Sequence, residues 1–227
     1  MTRIKICGLR EIEHAVAAAE AGADYLGLVF APSRRQVSVE KAREIIKAVR
    51  ELNPRQEVVG VFVNTPSRTV NHIADRCGLD WIQLSGDEPW QYCHEITRPL
   101  IKVVRISPGK TATVILSDIE AGQSLALKQK FICLLDTQAG NTYGGTGHTF
   151  DWQIAREVAI QYPVMIAGGL TPDNVGQLVR EVQPWGVDVS SGVEAGGVKS
   201  IEKIRAFIHA VRSVQPKGEN YARDNEK

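Results

Sequence analysis

Short apolar runs of strand length alternate with stretches of helical spacing along most of the chain, and this alternation constrains the fold more than any other feature. Strands are read at 3–10, 25–30, 58–63, 81–84, 101–105, 131–136, 164–167 and 187–190. Between and after them lie helical stretches. Ile12, Ala15, Val16 and Ala19 share one helix face, Ala42, Ile45, Ile46 and Val49 a second, and Ile201, Ile204, Phe207, Ile208 and Val211 the last. Thr65-Pro66 and Thr171-Pro172 read as helix openings, a capping hydroxyl followed by a proline that forfeits no hydrogen bond. The stretch 111–128 is the least regular, because Gly122 and β-branched residues blur its period. Strands alternating with helices imply a parallel sheet. Eight such units in 227 residues match a single (β/α)8 TIM barrel, with an open doubly wound sheet as the alternative. The barrel domain is expected over 1–214, and 215–227, which has no aliphatic residue larger than alanine, is expected to be a disordered polar tail.

Composition narrows the function. The chain is 43% hydrophobic and 23% charged, and Lys+Arg 27 against Asp+Glu 26 leaves a net charge of +1. No basic block suggests a nucleic-acid partner. No apolar run approaches the roughly 20 residues that span a bilayer, and the first strand leaves no room for a signal peptide, so no membrane association and a cytoplasmic location are expected. Cys7, Cys77, Cys93 and Cys133 form no C-x-x-C pair, which argues against a disulfide framework or a zinc site.

The first strand is chemically odd. Ile4 and Ile6 alternate with Lys5 and Cys7, so helices covering the isoleucines leave a lysine and a thiol on the other face. A buried ammonium needs a partner. Barrel closure sets strand eight beside strand one, and there Asp188 and Ser190 share the face opposite Val187 and Val189, so Asp188 is expected to meet Lys5.

Active sites of such barrels lie where the strands end. Strand one ends on Cys7 and strand six on Asp136, which shares a face with Ile132 and Leu134, leaving Cys133 toward the helices. Gly168-Gly169 and Ser190-Ser191-Gly192 end strands seven and eight and offer unobstructed backbone N–H groups to a phosphate. Gly144-Gly145-Thr146-Gly147 reads as a lid or a long loop needing positive φ. A thiol and a carboxylate at a phosphate-binding mouth suggest acid–base chemistry on a sugar phosphate, which needs neither a metal nor an organic cofactor. Lys5 is expected to lower the pKa of Cys7, the base, while Asp136, the acid, must retain its proton.

Lys-Ile-Cys-Gly-Leu at 5–9, Val-Gly-Val-Phe-Val-Asn at 59–64, Leu-Leu-Asp-Thr at 134–137, Gly-Gly-Thr-Gly at 144–147, Phe-Asp-Trp at 150–152, Ala-Gly-Gly-Leu at 167–170 and Val-Asp-Val-Ser-Ser-Gly-Val-Glu at 187–194 together resemble the phosphoribosylanthranilate isomerase family of tryptophan biosynthesis. The resemblance implies a (β/α)8 barrel that carries out an Amadori rearrangement, with Cys7 as general base and Asp136 as general acid. It also implies a phosphate on Gly168, Gly169, Ser190, Ser191 and Gly192; Asp188 is expected among the substrate-binding residues as well. Arg35, with Arg34 as its competitor, falls where the family places an arginine near the anthranilate carboxylate. The implied partner is a small-molecule phosphoribosyl substrate, and the chain is expected to be a monomer or a homodimer. Two departures stand out. Ser85 replaces the family's common histidine after strand four, and Glu194-Ala-Gly-Gly-Val-Lys-Ser200 replaces the usual Pro-Gly-x-Lys-Asp, for which a shifted loop is expected. The alternatives are a catalytically silent phosphoribosyl-binding barrel and a related sugar-phosphate isomerase of histidine biosynthesis. The latter resembles barrels that use paired aspartates, which Cys7 argues against.

Overall fold

The computed structural model describes residues 1–107, 109–125, 127–137 and 152–214. Eight parallel strands close into a barrel in sequence order: β1 (Arg3–Cys7), β2 (Tyr25–Val29), β3 (Glu57–Phe62), β4 (Trp81–Leu84), β5 (Leu100–Ile106), β6 (Phe131–Thr137), β7 (Val164–Ile166) and β8 (Gly186–Val189). Closure excludes the open sheet. The seam is the pairing of β1 with β8, in which Lys5 lies opposite Asp188.

The period-two alternation sorts side chains onto two surfaces. Ile4, Ile6, Leu26, Ile82, Leu135 and Val187 face outward into the layer between sheet and helices. Tyr25, Val59, Trp81, Ile101, Val103, Leu134, Met165 and Ala167 fill the interior. Tyr25 meets Trp81 edge-on at 5.9 Å between ring centroids and lies 6.0 Å from Trp185, an aromatic floor below the mouth.

The helices are α1 (Ile12–Glu20), α2 (Val39–Leu52), α3 (Ser67–Cys77), α4 (Ala112–Ser124), α5 (Trp152–Gln161), α6 (Val175–Val182) and α7 (Ile201–Ser213). The unit after β4 has only a 3-10 turn, Trp90–Glu95, in place of an α-helix. The preceding segment is consumed by a fixed loop: the Glu88 carboxylate accepts hydrogen bonds from the backbone N–H groups of Asn64 at 2.7 Å and Gly86 at 2.9 Å. The two Thr-Pro pairs also differ from their expected role. Thr65 donates its hydroxyl to the Val63 carbonyl and leaves the N-terminus of α3 uncapped by a side chain. α6 starts beyond Thr171-Pro172, where Asn174 accepts from the Thr171 N–H at 2.8 Å and donates to the Gly169 carbonyl at 2.9 Å. Residues 215–227 and the expected lid at 144–147 lie outside the described residues.

Candidate active site

At the C-terminal ends of the strands, β1 brings up Lys5 and Cys7 on the interior face. Lys5 has no exposed surface, and its Nζ donates to Asp188 Oδ1 at 2.9 Å across the seam, as expected from the sequence. The strand can carry both groups because β2 has a glycine opposite them. A Cβ on Gly27 would lie 2.9 Å from Cys7 Sγ and 3.2 Å from Lys5 Nζ. Thiol and ammonium therefore share the space that a side chain at 27 would fill.

Burial pushes the Cys7 thiol above its ordinary range; Lys5 and Lys199 pull it down, while Asp188 adds to the rise. Lys5 acts in the expected direction, but its charge is engaged by Asp188 and does not overcome burial. Burial likewise presses the Lys5 ammonium toward neutrality, and Asp188 with Cys7 outweighs it, leaving the lysine pKa raised. Cys133 lies in the outer core, where burial pushes its thiol up to about 12.

Asp136 sits near the end of β6, half-buried, on the same face as the interior residue Leu134. β7 and β8 separate it from β1 on the shorter way round the barrel. Its neighbour in register on β5 is Arg105, which the sequence reading did not single out. Arg105 donates to the Ser85 carbonyl and, at 2.8 Å, to Asp87 Oδ1, closing the rim over β4 and β5. Below it, Gln83 Nε2 donates to the hydroxyl of Ser85 at 3.0 Å, and Gln83 Oε1 is buried with no hydrogen-bond partner among the described residues.

The two glycine-bearing loops meet. Gly168 and Gly169 adopt φ of 90° and 65°, accessible at low cost only to glycine. A Cβ on Gly192 would fall 1.8 Å from the Leu170 carbonyl oxygen, so the loops touch backbone to backbone. Ser190 precedes a short 3-10 turn, Ser191–Val193. The segment after it is a hairpin, β9 (Glu194–Ala195) with β10 (Val198–Lys199). Gly196 and Gly197 turn it with φ of 57° and 83°, as a two-residue hairpin loop requires. This is the form the departing sequence takes.

Arg35, in the loop after β2, reaches this side of the mouth. A Cβ on Gly8 would lie 2.5 Å from Arg35 Cδ and 3.1 Å from Ser190 Oγ, so the arginine stem, the end of β1 and the loop after β8 converge. Arg34 is more exposed, at 58% of its side chain against 19% for Arg35. Both bind the Glu194 carboxylate. Gly27, Arg105, Asn174 and Glu194 were thus not singled out for a role from sequence; only the glycine inside an apolar strand carried a recognisable signal.

Among the described residues no group of three or more His, Cys, Asp or Glu side chains is arranged to hold a metal ion. No described helix is long and apolar enough to cross a membrane.

A family model described as N-(5'phosphoribosyl)anthranilate (PRA) isomerase matches residues 4–210. A curated relative from Dehalococcoides mccartyi, named N-(5'-phosphoribosyl)anthranilate isomerase, is 48% identical over 93% of this chain and 96% of its own length. One of the same name from a Roseiflexus species is 45% identical over 94% and 99%. The crystal structure of phosphoribosyl anthranilate isomerase from Thermotoga maritima superposes with a TM-score of 0.80 at 37% identity, covering 94% of this chain and all of its own. A crystal structure of phosphoribosyl anthranilate isomerase in complex with reduced 1-(o-carboxyphenylamino)-1-deoxyribulose 5-phosphate gives 0.77 at 35%, again over 94% of this chain and 100% of the other.

Proposed function

The chain belongs to the N-(5'-phosphoribosyl)anthranilate isomerase family, and from that premise we propose that Cys7 is its general base and Asp136 its general acid. Its reaction is the Amadori rearrangement of N-(5-phosphoribosyl)anthranilate to 1-(2-carboxyphenylamino)-1-deoxyribulose 5-phosphate in tryptophan biosynthesis.

The phosphate rests on backbone N–H groups of Gly168, Gly169, Ser190, Ser191 and Gly192, held by Asn174 beneath one loop and Lys199 beside the other. Arg35 takes the anthranilate carboxylate in preference to Arg34, because its stem lies over Gly8 next to Cys7. With both ends anchored, the ribose lies between β1 and β6. Asp136 protonates the furanose ring oxygen as the C1–O bond breaks, and the nitrogen lone pair closes the C1–N double bond of a Schiff base. Cys7, as thiolate, removes the C2 proton; the C2–H electrons form the C1–C2 double bond, and the iminium electrons return to nitrogen. The resulting enolamine takes up a proton at C1 and loses one from the C2 hydroxyl, giving the aminoketone. Lys5 stabilises the thiolate, and Asp188 holds Lys5 in place from the opposite side of the seam.

The observation that carries this reading is the shared interior face at the mouth: Cys7 over the Lys5–Asp188 pair, beside two glycine loops in backbone contact. The four described cysteines are free thiols buried in the fold, which suits a reducing cytoplasm. Folded, purified protein is expected to consume the fluorescent substrate, and its gene to restore growth without tryptophan to a strain lacking this step. Failure of both by a folded protein contradicts the assignment.

A further inference from the structure

Glu194 lies where two of the proposed anion contacts come together, and its surroundings are unusual for a carboxylate. Its side chain is 6% exposed and is ringed by Arg34, Arg35 and Lys199. Oε1 accepts from Arg35 Nε at 2.7 Å and from Lys199 Nζ at 3.1 Å. Oε2 accepts from Arg34 Nη2 at 2.7 Å and from Arg35 Nη2 at 3.1 Å. Burial alone would raise this carboxyl, but the Arg35 and Lys199 contacts hold it below the usual carboxylate range, so it stays charged. Lys203 Nζ fixes the Glu194 backbone carbonyl at 2.8 Å, and the hairpin register with Lys199 fixes the strand.

We propose that Glu194 is the positioning residue for Arg35: it grips the Nε–Nη2 edge of the guanidinium and so presents the other edge to the carboxylate of the substrate. A guanidinium has five N–H donors in a rigid plane, so one carboxylate on one edge leaves Nη1 for a second. A flexible arginine in a surface loop would otherwise lose rotamer freedom on binding. Here the paired contacts to Glu194 hold the side chain in one rotamer. Three cations around one carboxylate leave an excess of positive charge, which suits a substrate that carries its own carboxylate. Lys199 does not depend on Glu194 for its place, because its Nζ also donates to the Ser190 carbonyl at 2.8 Å and hydroxyl at 3.3 Å.

The inference rests on Arg35 being the carboxylate anchor, and a mutant cycle separates the two claims. KM and kcat are measured for Arg35→Gln, Glu194→Gln and the double variant, together with inhibition by inorganic phosphate and thermal melting of each. Glu194→Gln is expected to raise KM roughly tenfold, in line with loss of a charge-assisted contact, with kcat and phosphate inhibition within about threefold of the parent. Arg35→Gln is expected to raise KM at least as much, and the double variant no further than Arg35→Gln alone. Glu194→Asp, which keeps the charge, is expected to recover part of the loss; if Glu194→Gln does not fold, Glu194→Asp replaces it, with a smaller rise in KM that vanishes in the Arg35→Gln background. An unchanged KM in Arg35→Gln overturns the anchor and this inference together. A raised KM in Arg35→Gln with an unchanged KM in Glu194→Gln overturns the inference alone. So does a multiplied KM in the double variant, or a loss of phosphate inhibition in Glu194→Gln equal to the rise in KM.

Discussion

A lysine with no exposed surface keeps its charge only if a carboxylate lies within reach, and Asp188 at 2.9 Å meets that condition for Lys5. The same ammonium is the first group to oppose the effect of burial on Cys7. Replacing Lys5 with methionine is therefore expected to raise the Cys7 pKa. A general base works deprotonated, so the ascending limb of the kcat/KM profile is expected to move to higher pH; an unmoved limb would leave Lys5 a structural partner only. The variant also leaves Asp188 buried without its cation, at a cost of about 3–5 kcal/mol, so Asp188→Asn is added where melting shows partial unfolding. At this scale the sequence was eloquent about β1, because an inward lysine and thiol between isoleucines demand an explanation. It said little about Gly27 or Glu194, whose roles depend on neighbours 20 or more positions away in the chain, at Cys7 and Arg35.

Elements were legible where their periodicity is local and obscure where tertiary packing sets them. The helix in 111–128 read poorly because of Gly122, and the fold supplies the reason: a Cβ there would lie 2.5 Å from Trp90 Cζ3. Trp90 cannot easily yield, since its Nε1 donates to Asp118 at 2.9 Å and its ring meets Phe131 edge-on at 5.4 Å. Gly122→Ala gains about 1 kcal/mol in helix propensity and loses about 1–3 kcal/mol to overpacking, so chemical denaturation is expected to show net destabilisation. A more stable variant would mean that Trp90 moves aside freely. The 3-10 turn after β4 was similarly hidden, because the Glu88 contacts that fix the preceding loop join the segments that follow β3 and β4. The hairpin at Gly196-Gly197 carries a sequence signal, paired glycines, that suits a two-residue turn and a longer loop alike.

For the whole molecule, the functional mouth is a product of closure. β1 and β8 come from opposite ends of the described chain, and their seam supplies Lys5, Cys7, Asp188 and Ser190. α7 ties the last strand–helix unit to the first two strands: Arg212 donates to the carbonyls of Thr2 and Gly22 and to Asp24 Oδ2. The eightfold alternation was readable because each strand–helix unit declares itself locally, and closure followed from their number. The placement of Cys7 and Asp136 was legible as strand ends on an interior face, and the roles proposed for them came through family motifs; the cations around the thiol emerge only when the barrel closes. Cys7 and Asp136 are proposed to transfer the protons of the isomerisation. The most direct test of that transfer is the single-turnover rate of Cys7→Ala and Asp136→Asn, each saturated with substrate and shown by melting to be folded. Both rates are expected to fall at least about a hundredfold, the usual range for loss of a general acid or base; a rate within about threefold of the parent in either variant would contradict the account.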